Sequence, residues 1–345
     1  MRLFSWSGRF PGWRGNARIG MTAVLVVGLV MVGSTDAARA DSLQQLMEQV
    51  GPEYAKAYAS PFIHTFGPNQ NSNLYSTANI PFGKLVFGFG VKVMGTYMNE
   101  EDQSFRKVVQ IDDLGVLDPD NPDLDGVSGT AVMSGPTIFG STADEDIGQI
   151  DFYSNGVYLG SVDGITGFWE TRWAPLFAPE AYIGGILGFK FTLRYLPTMS
   201  VGDLENITYM GYGLQWSASG LLDNFPVDLM VGFFSTKLDV ENTQGLGQDK
   251  LFDSEANSYF VAVSKSWPAL TVYGGYALED SKMDVSYYYE DENFPALTQQ
   301  VNFSVDGRQE SRFTAGVTLD VLVDLNLEAG FGDLTTYSAG VMLGF

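Results

Sequence analysis

Thr336-Tyr337-Ser338-Ala339-Gly340-Val341-Met342-Leu343-Gly344-Phe345 closes the chain. Tyr337, Ala339, Val341, Leu343 and Phe345 are apolar or aromatic, and the residues between them are small or flexible. Successive side chains of a strand point to opposite faces, so this period of two predicts a strand with one uniformly apolar face. The same pattern recurs upstream. Leu85, Phe87, Phe89, Val91, Val93 and Tyr97 alternate with Lys84, Gly88, Gly90, Lys92 and Thr96. Phe189, Phe191, Leu193 and Tyr195 alternate with Lys190, Thr192 and Arg194, and Tyr212, Leu214 and Trp216 with Gly213, Gln215 and Ser217. Phe313 to Val321 and Val323 to Phe331 repeat it.

A soluble sandwich also alternates, and three details favour a membrane barrel. The apolar series run five or more positions, close to the ~9–11 residues that a tilted spanning strand needs. The second face carries Gly together with Lys92, Lys190, Arg194, Gln215, Arg312 and Glu328, a composition suited to a narrow lumen. Phe82, Tyr97, Tyr195, Trp216, Tyr259 and Trp267 stand at the ends of apolar series, where headgroups would lie. Strands in lipid must pair every backbone group, which requires closure. The expected fold is all-β: an antiparallel transmembrane β-barrel of 10–14 strands, ten or twelve preferred, with a short N-terminal helical plug or cap. The terminal strand, with Tyr337, Val341, Leu343 and Phe345 facing outward, resembles the C-terminal signal of Gram-negative outer-membrane proteins, which their assembly machinery recognises.

Composition agrees. The chain has 345 residues, only 17% of them charged, with 40 Gly and no Cys, whereas a soluble domain carries about 25% charge. The missing thiols exclude disulfides, thiolate metal sites and lipidation at Cys. The net charge of −22 argues against a nucleic-acid partner, and none is expected. Arg2, Arg9, Arg14 and Arg18 precede an uncharged run from Ile19 to Gly33, followed by Ala38-Arg39-Ala40. This predicts a secretory leader over 1–40, cleaved near Ala40. Its removal takes away five Arg and one Asp, leaving 14 basic against 40 acidic residues, a net −26.

Residues 41–80 stand apart from the alternating region 81–345. Helical spacing of Leu43, Leu46, Met47, Val50, Tyr54, Ala57 and Tyr58 predicts a helix over 41–60, split at Gly51-Pro52, and 61–80 reads as irregular. The whole is expected to plug or cap the barrel. Strands are expected at 83–98, one or more within 130–176, then 181–197, 205–219, 226–240, 255–267, 269–289, 297–320, 323–332 and 334–345. Ser154-Asn155-Gly156 is a hairpin signal. The pair 269–289 and 297–320 is longer than the membrane and should project. The long connections are acidic, with nine Asp or Glu in 99–126.

Asn121, Asp123, Asp125 and Gly126 match the opening of a calcium loop. The twelfth position is Val132, so the bidentate ligand is missing and a solvated loop is the plainer reading. His64 is the sole His and lacks a nucleophile motif, so packing is expected rather than catalysis. Phe87-Gly88-Phe89-Gly90 opens no helix and is not a phosphate loop. No enzyme and no cofactor is expected.

Phe66-Gly67 with Asn71-Ser72-Asn73-Leu74-Tyr75-Ser76-Thr77-Ala78, Gly135-Pro136-Thr137-Ile138-Phe139-Gly140, Phe191-Thr192-Leu193-Arg194-Tyr195-Leu196-Pro197 and Pro226-Val227-Asp228-Leu229 resemble an uncharacterised family of bacterial outer-membrane barrels, a domain of unknown function. The resemblance implies fold and location and no activity. The layout, an N-terminal segment before a barrel, is similar to long-chain fatty-acid transporters in architecture only. Two functions follow as expectations: transport or capture of a small solute, hydrophobic ones included, or a closed surface-interaction barrel acting through its acidic extracellular loops. Partners would be outer-membrane lipid and the assembly machinery, in a Gram-negative outer membrane.

Overall fold

The computed structural model describes residues 37–116, 126–201, 204–221, 225–241, 250–290 and 298–345. No helix among them is long and apolar enough to cross a membrane. The crossing is made by strands. β1 (Gly83–Tyr97), β6 (Trp173–Ile186), β7 (Phe189–Val201), β8 (Leu204–Ser217), β9 (Asp228–Glu241), β10 (Lys250–Trp267), β11 (Leu270–Glu290), β13 (Ser311–Asp320), β14 (Asp324–Phe331) and β15 (Thr335–Gly344) form an antiparallel ring. β10 pairs with β11, and β15 returns to β1, Val91 opposite Val341, so ten strands close the barrel. The expected range of 10–14 resolves to its lowest value. Leu85, Phe87, Phe89, Val91 and Val93 are exposed on the outside, and Lys92, Met94 and Thr96 are buried within. Phe345 exchanges backbone hydrogen bonds with Phe87 and stacks on its ring, which seals the terminal seam.

Short links gather at one end. Leu187-Gly188 joins β6 to β7 with φ of +53° and +76°, the two-residue geometry that matches strand twist. Alternation continues straight across this turn, so the single strand expected over 181–197 is instead the heart of a hairpin. Short turns mark the periplasmic end of such barrels. The expected strand 297–320 is likewise two. β12 (Thr298–Asp306) pairs with the upper part of β11, and β13 with its lower part. Gly307 to Glu310 interrupt the run. The β11–β12 hairpin extends past the barrel, as its length requires.

The segment expected to hold wall strands within 130–176 is different in kind. β2 (Ser104–Ile111), β3 (Gly129–Pro136), β4 (Gln149–Ser154) and β5 (Val157–Asp163) form a separate four-stranded meander at the end opposite the short links. Asn155 (φ +48°) and Gly156 (φ +80°) make its last turn, where the sequence signals one.

α1 (Ala37–Gln70) is one helix of 34 residues, not two short ones, and it includes Pro52, Pro61 and Pro68. It therefore runs ten residues beyond the expected end. Each proline removes a helical hydrogen bond and costs about 3 kcal/mol in an exposed helix. Tertiary burial outweighs that. Tyr54, Tyr58 and Phe62 sink into a core shared with Met133, Ile150 and Phe152 of the meander. The Tyr54 ring meets Phe105 edge-on at 5.1 Å, and its hydroxyl accepts from the Ile165 N–H at 3.1 Å. Helix and meander together roof the barrel.

Candidate functional site

From Gln70 the chain leaves α1 and threads down the lumen to begin β1 at the short-turn end. An extended segment inside a barrel exposes backbone groups that the wall must satisfy. The wall meets them with two arginines. Arg194, 0% exposed, donates from Nη1 to the Ser72 carbonyl at 2.9 Å and from Nη2 to the Asn73 carbonyl. Its Nε–H goes to Glu180 at 2.9 Å. Arg312 donates to the carbonyls of Pro68 (3.0 Å) and Asn71 and to the Ser72 hydroxyl (2.8 Å), and pairs with Glu279 at 2.6 Å.

Asn73, at φ +55°, is the centre of the segment. Its N–H donates to Glu328 at 2.7 Å, and its side-chain oxygen accepts from the Lys92 ammonium at 2.8 Å. Gln215 donates to the Leu74 carbonyl at 2.8 Å, Thr318 to that of Ser76 at 2.8 Å and Ser217 to that of Ala78 at 2.7 Å. Tyr75 stacks on Phe260 at 5.0 Å, and a Cβ at Gly275 would collide with its hydroxyl. The segment 69–80 is thus bolted to the wall at nearly every residue.

Five of the six polar residues singled out on the inward series, Lys92, Arg194, Gln215, Arg312 and Glu328, meet on this segment. Lys190 does not. It lies lower, beside a polar pocket of about 170 Å³ near Tyr182 and Asp324, with its ammonium 5.4 Å from the Tyr182 ring centre. Glu180 and Glu279 carry no sequence signal of their own, and Asn73 only its place in the family-like stretch 71–78. Their partners in sequence are 14, 33 and 19 residues or more away, so only the fold reveals the pairs. Asn121, Asp123 and Asp125 lie outside the described residues, as do residues 1–36 of the expected leader. Among the described residues, no group of three or more His, Asp or Glu could hold a metal ion. Tyr337, Val341, Leu343 and Phe345 all face outward on β15.

His64 stands half-buried on α1 in the roof. Burial holds its pKa below the ordinary value, and the nearby Arg308 guanidinium lowers it further, against a smaller opposing effect of Asp102. The neutral ring is therefore the folded form. Below about pH 6.5 the unfolded chain binds the extra proton more readily, so stability is lost as pH falls through that window. The melting temperature of wild type, relative to His64→Gln, should drop between pH 7 and pH 5. A flat difference would remove His64 from the pH response.

Above the arginines the inward positions change character. Ala174, Leu176, Leu196 and Leu238 replace charge, and Phe62 and Phe66 of α1 hang over them. They enclose a pocket of about 510 Å³ beneath the roof. Of the sixteen residues in its wall only Thr171 is neither apolar nor aromatic. Phe62 is its hub, 4.4 Å from Phe66, 5.7 Å from Phe252 and 6.3 Å from Trp169 between ring centres. The sequence carries a trace of it: Trp173-Ala174-Pro175-Leu176-Phe177 is apolar on both faces, where alternation would supply a polar partner series.

A closed ten-stranded ring with an apolar outer belt, a bolted lumen and an apolar mouth defines a transmembrane β-barrel. Residues 18–345 match the model of a family of unknown function, DUF6588, and the chain belongs to that family. A comparison with curated proteins finds no match. Among solved structures, the chain is similar to the in-vitro folded OmpT of Vibrio cholerae, an outer membrane protein, with 10% identity, 76% of this chain and 100% of that one covered, and a TM-score of 0.26. It is also similar to Pseudomonas putida OprB (7% identity, 76% and 94% covered, TM-score 0.21) and to the translocator domain of the autotransporter NalP from Neisseria meningitidis (12% identity, 90% and 99% covered, TM-score 0.20).

Proposed function

We propose that this barrel captures a small apolar solute in the pocket at its mouth, as a step in transport, and that it sits in the outer membrane of a Gram-negative bacterium after loss of its leader near Ala40. The strand ending in Tyr337, Val341, Leu343 and Phe345 would be its ticket to the assembly machinery. One observation carries the functional reading: a cavity of about 510 Å³ with an almost wholly apolar wall lies directly above a lumen filled by residues 69–80. Sites for small ligands are typically concave, apolar and of this size. A water-soluble ion gains nothing there, because burying it without partners is costly. The surface-interaction reading retains support from the filled lumen, which a purely structural barrel would share.

Trp169 lines the pocket and reports on it. In a mature chain carrying Trp173→Phe, Trp216→Phe and Trp267→Phe, embedded in nanodiscs, a nitroxide-bearing dodecanoic acid should quench Trp169 saturably. Filling the cavity with Leu196→Phe and Leu238→Phe should weaken that binding at least tenfold, about 1.4 kcal/mol. Unsaturable quenching, equal in both proteins, would overturn the reading.

A further inference from the structure

The barrel wall is not sealed over its full height. β6 pairs with β1 from Ile186 opposite Gly83 up to Trp173 opposite Tyr97. On its other edge it pairs with β7 only from Ile186 opposite Phe189 to Glu180 opposite Arg194. Above that, among the described residues, no pair joins the two strands, although the same register would set Phe177 opposite Pro197. β7 meanwhile stays with β8, with irregular register between Leu196 and Met199 that turns its upper part. Pro175, Pro179 and Pro197 stand along the parting, and none has an N–H to give to a ladder.

The mouth pocket reaches this parting. Five consecutive residues, Trp173 to Phe177, line it. Neighbouring residues of a strand face opposite sides, so one cavity touches all five only by passing around the strand's edge. The β1 edge is occupied, which leaves the β7 edge. The outward pair Trp173 and Phe177, each 44% exposed, belongs to the lipid-facing series. Trp173 packs with Tyr97 and Tyr337 in an aromatic cluster at the outer end of the wall. The parting therefore opens just below the outer headgroups, into the hydrocarbon.

We propose that the unpaired upper stretch of β6 and β7 is a side door through which a single aliphatic chain passes between the mouth pocket and the outer half of the bilayer. The inference rests on the apolar-solute reading of that pocket and specifies the solute class and its route. The wall is apolar from pocket to bilayer, so the passing group meets no polar barrier. Downward passage is blocked by Glu180, Arg194 and the bolted segment. Acyl chain is also what lies on the far side of the opening.

Because a door governs rate and not equilibrium, the test is kinetic. The chain lacks Cys, so Phe177→Cys and Pro197→Cys can be bridged alone by a bis-methanethiosulfonate linker and released by reductant. The protein with Trp169 as its single Trp, in nanodiscs, is mixed with vesicles loaded with nitroxide-bearing dodecanoic acid. Against the same double-Cys protein before bridging, the linker should slow the onset of quenching at least tenfold, leave the final extent of that protein's own quenching unchanged, and be reversed by reductant. A linker across Phe233→Cys and Tyr259→Cys, opposite residues on the fully paired β9–β10 seam, should have no effect. An unchanged rate across the β6–β7 bridge, or equal slowing at both seams, would overturn the door while leaving the pocket intact. Absence of saturable quenching before bridging would overturn the pocket and the door together. Should the linker reduce the extent, the variant Pro175→Val/Pro179→Val/Pro197→Val, which restores ladder donors, decides by the same rate: slowed onset supports the door, wild-type onset overturns it.

Discussion

Replacing Arg194 by Met should destabilise the protein by about 3–5 kcal/mol, as removal of one partner of a buried ion pair does. Met keeps much of the volume, so the effect is one of charge and hydrogen bonding. Glu180 would be left buried with Lys92, 4.0 Å away, as its remaining ion-pair partner and Lys190 nearby, and the carbonyls of Ser72 and Asn73 would lose their donors. Unfolding in urea, followed by the shift in gel migration between boiled and unboiled samples, measures this. A midpoint within error of wild type would show that the guanidinium does not hold the segment.

The second large effect is on conductance. Wild type should be silent in planar bilayers because residues 69–80 occupy the lumen. Arg312 grips the same segment from the opposite wall, through Pro68, Asn71 and Ser72. The double variant Arg194→Met/Arg312→Leu should therefore show conductance steps that wild type lacks. Its loss of stability should be smaller than the sum of the single losses, since freeing the segment once removes what the second arginine holds. Each single variant should flicker open rarely. A silent double variant that still folds would mean the side-chain bonds of Gln215, Ser217 and Thr318, with Tyr75, suffice to keep the lumen shut.

The wall is largely legible in the sequence because long period-two alternation, with charge and Gly confined to one face, suits a strand that has lipid on its other side. Its boundaries are not. Leu187-Gly188 turns without breaking the alternation, and Gly307 to Glu310 break a strand whose pattern resumes in phase. The helix passes through Pro52 and Pro61 because local propensity is outweighed by the burial of Tyr54, Tyr58 and Phe62, which depends on a sheet far along the chain. That sheet carries the same short alternation as wall strands, so pattern alone does not separate residues 104–163 from the barrel. The inward cations are visible as types, but Arg194 finds Glu180, Ser72 and Asn73 only once the segment is threaded. The mouth pocket leaves the faintest signal, the apolar run from Trp173 to Phe177, which reads equally as lipid contact.

The proposed apolar solute sits beneath the roof and outside the filled lumen. Crystals of the full mature protein soaked with bromododecane, with anomalous scattering measured at the bromine edge, would locate it. Bromine density should be enclosed by Phe62, Leu196 and Leu238 and extend toward the parting of β6 and β7. Bromine found alongside residues 71–80 in the lumen, or on the outer belt alone, would contradict that placement.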